Sequence, residues 1–198
     1  SGKQTITKAE FRKTYPKKGF ATGLFEVDMQ EINPKEMWLN YGNDATGWRS
    51  KQLNLGTECV VSFGDRKRCS TNVDVDDYDL EEIEFWFNLS DVTDKTAKSV
   101  VKKLNVDVSD PILNSIEYPI DRNRANFKLN ITEQNLERVE YYDYNSTSDN
   151  WVRMCRGLRT DGTCVRRVGF SAGQHLLDIR IIDRAGNSFT KENVEINI

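Results

Sequence analysis

In the stretch HLLDIRIIDRAGNSF, residues 175–189, apolar and polar positions alternate until the run stops at Asp183. Side chains in a strand repeat with period two, so Leu177, Ile179 and Ile181 share one face while Asp178 and Arg180 share the other. Asp183 can accept hydrogen bonds from the amides that follow, and Gly186-Asn187 tolerates positive φ, so the pattern predicts a turn into a last strand over 189–198. Similar short alternating runs recur along the chain at intervals of roughly ten residues, separated by Gly, Asn, Asp and Pro clusters. A period of 3.6 is almost absent, and weak helical candidates, such as residues 93–103, lack a continuous apolar stripe. The pattern therefore predicts an all-β chain.

The pattern also repeats. FEVDMQEINPKEMWLNYGN, from Phe25, aligns without a gap on FKLNITEQNLERVEYYDYN, from Phe127. Phe25 meets Phe127, Val27 meets Leu129, Met29 meets Ile131, Glu31 meets Glu133, Asn33 meets Asn135 and Met37 meets Val139. Further on, Phe85, Phe87, Leu89 and Asp91 match Leu177, Ile179, Ile181 and Asp183. A shared order of strand, turn, strand, cysteine pair, strand and terminal Asp predicts a duplicated domain. The boundary falls in Val106-Asp107-Val108-Ser109-Asp110-Pro111, giving domains over 1–107 and 108–198. So short a joint predicts a stiff, elongated pair.

The cysteines fall into the same two halves, as Cys59/Cys69 and Cys155/Cys164. Each pair brackets a turn, Phe63-Gly64-Asp65 in the first and Thr160-Asp161-Gly162 in the second. That favours two hairpin disulfides over the other two connectivities. A four-thiolate zinc site normally presents closer C-x2-C knuckles. Disulfides in turn imply an oxidising compartment. The chain opens Ser-Gly-Lys without an initiating Met or an apolar leader, which reads as a processed or cloned fragment.

Residues 173–187, Gly-Gln-His-Leu-Leu-Asp-Ile-Arg-Ile-Ile-Asp-Arg-Ala-Gly-Asn, resemble the G-x-H-x-L-x-I-x-x-x-D-x-A-G-N ending of immunoglobulin-like domains, of the bacterial Ig-like or fibronectin type III-like kind, common in prokaryotic and archaeal cell-surface proteins. Ser109-Asp110-Pro111-Ile112 is similar to their usual opening. The resemblance covers about ninety residues of the second half and reaches the first through the repeat. It implies two consecutive Ig-like β-sandwiches. Two departures stand out. The bridge that joins the two sheets in antibody domains is absent, and Asp91-Val92-Thr93-Asp94 has lost the Gly-Asn of the turn.

Charge and candidate chemistry narrow the function. Net charge is −3, with 30% charged residues and no long apolar run, so the chain carries neither a membrane span nor the basic surplus of a nucleic-acid binder. Arg66-Lys67-Arg68 and Arg166-Arg167 flank the cysteine pairs, but acids offset them within each domain. Sequons place glycosylation candidates at Asn88, Asn130 and Asn145. Tyr41, Trp48, Tyr142, Tyr144 and Trp151 are candidate ligand-contact aromatics, able to stack on a sugar or anchor a protein. Asp107, Asp110 and Asp183, with Asp91, are weak calcium candidates, since Asp is also an ordinary turn former. The one histidine, His175, starts a core strand and has no nucleophile motif around it, so no catalytic residue and no cofactor is expected. Together these predict a non-catalytic extracellular module, a rigid spacer or adhesion part of a larger secreted or cell-surface protein, whose partner is a protein or glycan. The alternatives are a carbohydrate-binding module and a surface-filament subunit, the latter a homo-oligomer.

Overall fold

The computed structural model describes residues 10–17, 19–31, 33–64 and 66–198. Asp65, in the first expected turn, and residues 1–9 lie outside the described residues. The chain divides into two compact units, the first ending at Val108 and the second running from Ser109 to Ile198. Strands make up nearly all the regular structure; a 3₁₀ turn at Asp76–Tyr78 is the exception among the described residues. No helix among them is long and apolar enough to cross a membrane.

The first unit contains β1 (Glu10–Tyr15), β2 (Phe20–Ala21), β3 (Leu24–Gln30), β4 (Pro34–Asn43), β5 (Gly47–Gln52), β6 (Cys59–Phe63), β7 (Arg66–Asn72), β8 (Glu82–Asp91), β9 (Thr96–Lys98) and β10 (Lys102–Val106). One sheet has the order β1-β3-β7-β6 and the other β2-β10-β8-β4-β5, with β9 also on β8. The weak helical candidate over 93–103 holds β9 and the first residues of β10, a strand whose Leu104 and Val106 reach the core with period two. In immunoglobulin lettering the sheets are ABED against A′GFCC′. Alternation in β3 and β8 sends Phe25, Val27, Met29, Ile83, Phe85, Phe87 and Leu89 into one core. Burying each such side chain contributes about 1.5–3 kcal/mol.

The second unit contains β11 (Ile112–Glu117), β12 (Ile120–Asp121), β13 (Arg124–Thr132), β14 (Leu136–Asp143), β15 (Val152–Cys155), β16 (Thr163–Gly169), β17 (Gln174–Asp183) and β18 (Ser188–Asn197). β11 and β12 lie along one edge of β13 and β16 along the other, facing a sheet of order β15-β14-β17-β18. This is an immunoglobulin-like sandwich of the ABE/C′CFG kind. Its separate core gathers Phe127, Leu129, Ile131, Val139, Leu177, Ile179 and Ile181.

The repeat holds down to register. Met37 faces Leu89 as Val139 faces Ile181, and Tyr41 faces Phe85 as Asp143 faces Leu177. The terminal Asp works alike in both units. Asp183 Oδ1 accepts from the backbone N–H of Gly186 (2.6 Å) and Asn187 (2.8 Å). Asp91 Oδ1 accepts from Thr93 (2.8 Å) and Lys95 (2.9 Å). Where the second turn uses Gly186 at φ 102°, the first uses Asp94 at φ 61°, and Asp is among the side chains that tolerate this region best. The turn survives the loss of its Gly-Asn.

Candidate functional site

All four cysteines are bonded, Cys59 to Cys69 and Cys155 to Cys164. Cys69 and Cys164 are equivalent, standing opposite Val27 and Leu129 respectively. Their partners are not. Cys59 is the direct cross-strand neighbour of Cys69, a hairpin staple with Cα atoms 4.0 Å apart. Cys155 lies on β15, in the sheet facing Cys164 on β16, so that bridge joins the two layers. An inter-sheet link is therefore present in the second unit, between different strands from those bridged in antibody domains.

A buried polar cluster surrounds His175, which is 4% exposed. Its Nδ1 lies 2.8 Å from Asp143 Oδ2, and its Nε2 lies 3.3 Å from Ser171 Oγ and 3.1 Å from the Ser171 carbonyl. Ser, His and Asp thus occur in the connectivity of a hydrolytic triad, beside a cavity of about 370 Å³ lined by Tyr141, Asn145, Asn150 and Phe170 among others. Nδ1 faces the Asp143 carboxylate, and Nε2 is shared between the Ser171 hydroxyl and the Ser171 carbonyl, so these groups together fix the ring in place. Asp143 Oδ1 meanwhile accepts from the Asn145 N–H at 2.9 Å. The cluster ties the end of β14 and the loop after β16 to the start of β17. The sequence reading placed His175 in the core but missed Asp143, whose partner depends on the β14–β17 register.

Of the candidate aromatics, Tyr41 requires correction. It is 6% exposed and packs among Phe25 and Tyr78, because it lies on the inward parity of β4. Trp48 is 46% exposed and stands 5.4 Å from Trp86, over which Lys98 Nζ sits at 4.3 Å. Trp38 faces outward from the same sheet. Trp38 and Trp86 went unnoticed in the sequence, although the outward parity of Glu36-Met37-Trp38 and Glu84-Phe85-Trp86 marks both. In the second unit Tyr142 lies against Tyr144 and Trp151. The polar tips are engaged, Tyr142 with Asp149 (2.7 Å) and Tyr144 with Asp178 (2.8 Å). The Arg180 guanidinium covers Trp151 at 4.1 Å and donates to Glu140, which also accepts from Arg138. Burial pushes the Glu140 pKa up, and hydrogen bonds from Arg180 and Arg138 outweigh this, holding it below the ordinary value.

Asn88 is half-buried in the middle of β8, Asn130 is exposed on β13, and Asn145 is exposed with its Oδ1 accepting from the Leu176 N–H at 3.0 Å. Among the acids considered for calcium, Asp91, Asp107 and Asp183 are buried and Asp110 is exposed. Asp183 uses Oδ1 for its turn and Oδ2 for the Asn187 side chain. Of the basic clusters, Arg68 pairs with Asp28 and Arg167 with Asp121.

No family model matches the chain, and neither does any curated protein. Among solved structures it is similar to the fibronectin(III)-like modules of Clostridium thermocellum CbhA, at 10% identity over 96% of this chain and 94% of that one, with a TM-score of 0.47. The FN1–FN3 domains of chicken CNTN1 match at 9% identity over 90% and 63%, TM-score 0.47. A tetra-tandem repeat in the extending region of a large adhesion protein matches at 12% identity over 92% and 48%, TM-score 0.36. Likenesses this distant carry no function across, and the fold assignment rests on strand order and register.

Proposed function

We propose that this chain is a non-catalytic module of a larger secreted or cell-surface protein, one that positions or attaches neighbouring parts and transforms no substrate. The supporting observation is the employment of its reactive side chains. Four cysteines close two bridges, His175 is clamped between Asp143 and Ser171, and Asp91 and Asp183 are consumed in turns. Such stapled sandwiches suit an oxidising, protease-exposed setting. Asn88, Asn130 and Asn145 are then acceptors wherever the host glycosylates. The test is a swap within the parent protein. Replacing both units by two unrelated sandwiches of equal length should preserve the parent's attachment activity, whereas deleting them should abolish it. Loss of activity in a folded swap would contradict the spacer role and assign binding to these surfaces.

A second reading, glycan binding, is favoured by one feature: Trp38, Trp48 and Trp86 share the outer face of one sheet in the first unit. Indole faces stack on sugar rings. Binding on a glycan array that disappears in Trp48→Ala would establish it, and an array without signal would remove it.

A further inference from the structure

Sheet edges are points of risk, because a terminal strand offers unpaired N–H and C=O groups to any other chain. Most terminal strands here are guarded by charge: β1 by Arg12 and Lys13, β5 by Arg49 and Lys51, β11 by Glu117, β15 by Arg153, β16 by Arg166 and Arg167, and β18 by Lys191, Glu192 and Glu195. Two terminal strands carry no charge, the two-residue β2 and the longer β6. The sequence of β6, Cys-Val-Val-Ser-Phe, contains no charge and no proline, and the strand ends its sheet with β7 as its one strand neighbour.

The same strand carries the most exposed apolar cluster of the first unit. Val60 is 63% exposed, Val61 68% and Phe63 80%. Cross-strand partners share a face, so Val60 and Phe63, opposite Arg68 and Arg66, lie on the outer face, and Val61, opposite Lys67, on the inner. Both faces of the hairpin are apolar at its free edge. Its base is held by the Cys59–Cys69 bridge and by Arg68, paired with Asp28 on β3. The edge is thus presented on a fixed support, so little ordering cost opposes pairing.

We propose that β6 is a self-association edge: it pairs antiparallel with β6 of a second copy of this chain, joining two four-stranded sheets into one of eight strands. A two-fold axis makes a strand its own complement, since each copy offers the same unguarded main chain and the same apolar side chains. Charge permits this arrangement. With β6 and its mate in the middle, the two Lys67 side chains are separated by three strand spacings, about 14 Å, beyond the Debye length of about 8 Å in physiological salt. The contact is small: a five-residue strand with three large apolar side chains on each side falls in the class below about 1,200 Å², which predicts a weak, concentration-dependent dimer.

Sedimentation velocity on the whole chain tests this, run from about 10 µM to about 1 mM, a range that spans weak association. The expected result is a monomer at the low end and a dimer at the high end. Val61→Lys, which adds the missing charge to an exposed site, should abolish the dimer while leaving both disulfides and the thermal midpoint intact. Val165→Lys, on the already guarded β16, should leave dimerisation unchanged. Hydrogen exchange should slow at β6 amides with rising concentration, which apolar contact without strand pairing would not produce. A monomer throughout the range, or a dimer unaffected by Val61→Lys, overturns the proposal. Cosedimentation of a persistently monomeric chain with vesicles containing 30% anionic lipid, roughly the charge that draws basic segments to membranes, would also overturn it and assign the hairpin to a membrane surface.

Discussion

His175 and Asp143 occupy the positions that Ile83 and Tyr41 hold in the first unit, so one buried polar pair replaces an apolar one at equivalent lattice points. Removing one partner of such a pair strands the other. Asp143→Ala should destabilise the second unit by about 2–4 kcal/mol in urea unfolding. The double change Asp143→Tyr with His175→Ile, which installs the first unit's residues, should recover much of that loss; if it is as unstable as the single variant, the pair is not the cause. Glu140 supplies a pH signature. Its folded pKa lies below the unfolded one, so its contribution is complete above the ordinary value of 4.5 and is lost as pH falls through the lower folded value. Urea midpoints should therefore drop between pH 7 and pH 3, and less steeply in Glu140→Gln; parallel curves would refute this. Inward residues such as Leu177 and Phe85 were legible from alternation alone. Tyr41 was judged by its polar neighbours instead of its parity, and Asp143 could not be paired before the register was known.

At the scale of elements, the two terminal hairpins reach one design with different residues. Asp94 holds the left-handed position that Gly186 fills in the second unit. Asp94→Gly should raise stability by up to about 1 kcal/mol, the relief of a side chain held at positive φ, partly offset by loss of the exposed Lys35 pair. A fall in thermal midpoint would contradict this. The cysteine pairings were readable because each pair brackets a turn, but the span of the second was not. Nothing in the spacing says that β15 and β16 belong to different layers, whereas in the first unit the added strand β6 keeps the bridge within one sheet. The Cys155→Ala, Cys164→Ala variant should lose about 2–3 kcal/mol, as expected for opening a loop of about ten residues. An unchanged urea midpoint would remove the bridge from the account.

For the whole molecule, duplication explains more than any single site. Two cores and two Asp-capped hairpins follow one plan, each unit closes a disulfide of its own, and the surfaces built on that plan diverge: a tryptophan face and an uncharged edge in the first unit, a stacked tyrosine and arginine face in the second. The plan was visible in the sequence because it is written in inward residues, which tolerate little change in size. Surfaces escape such reading, since outward side chains acquire partners only when strands are placed side by side. The central claim is that each copy closes its own stapled interior. Thermal unfolding of residues 109–198 alone, followed by near-UV circular dichroism, tests it most directly. A single cooperative transition that shifts to lower temperature under reducing agent is the predicted result; a fragment with no fixed tertiary signal and no transition would contradict it.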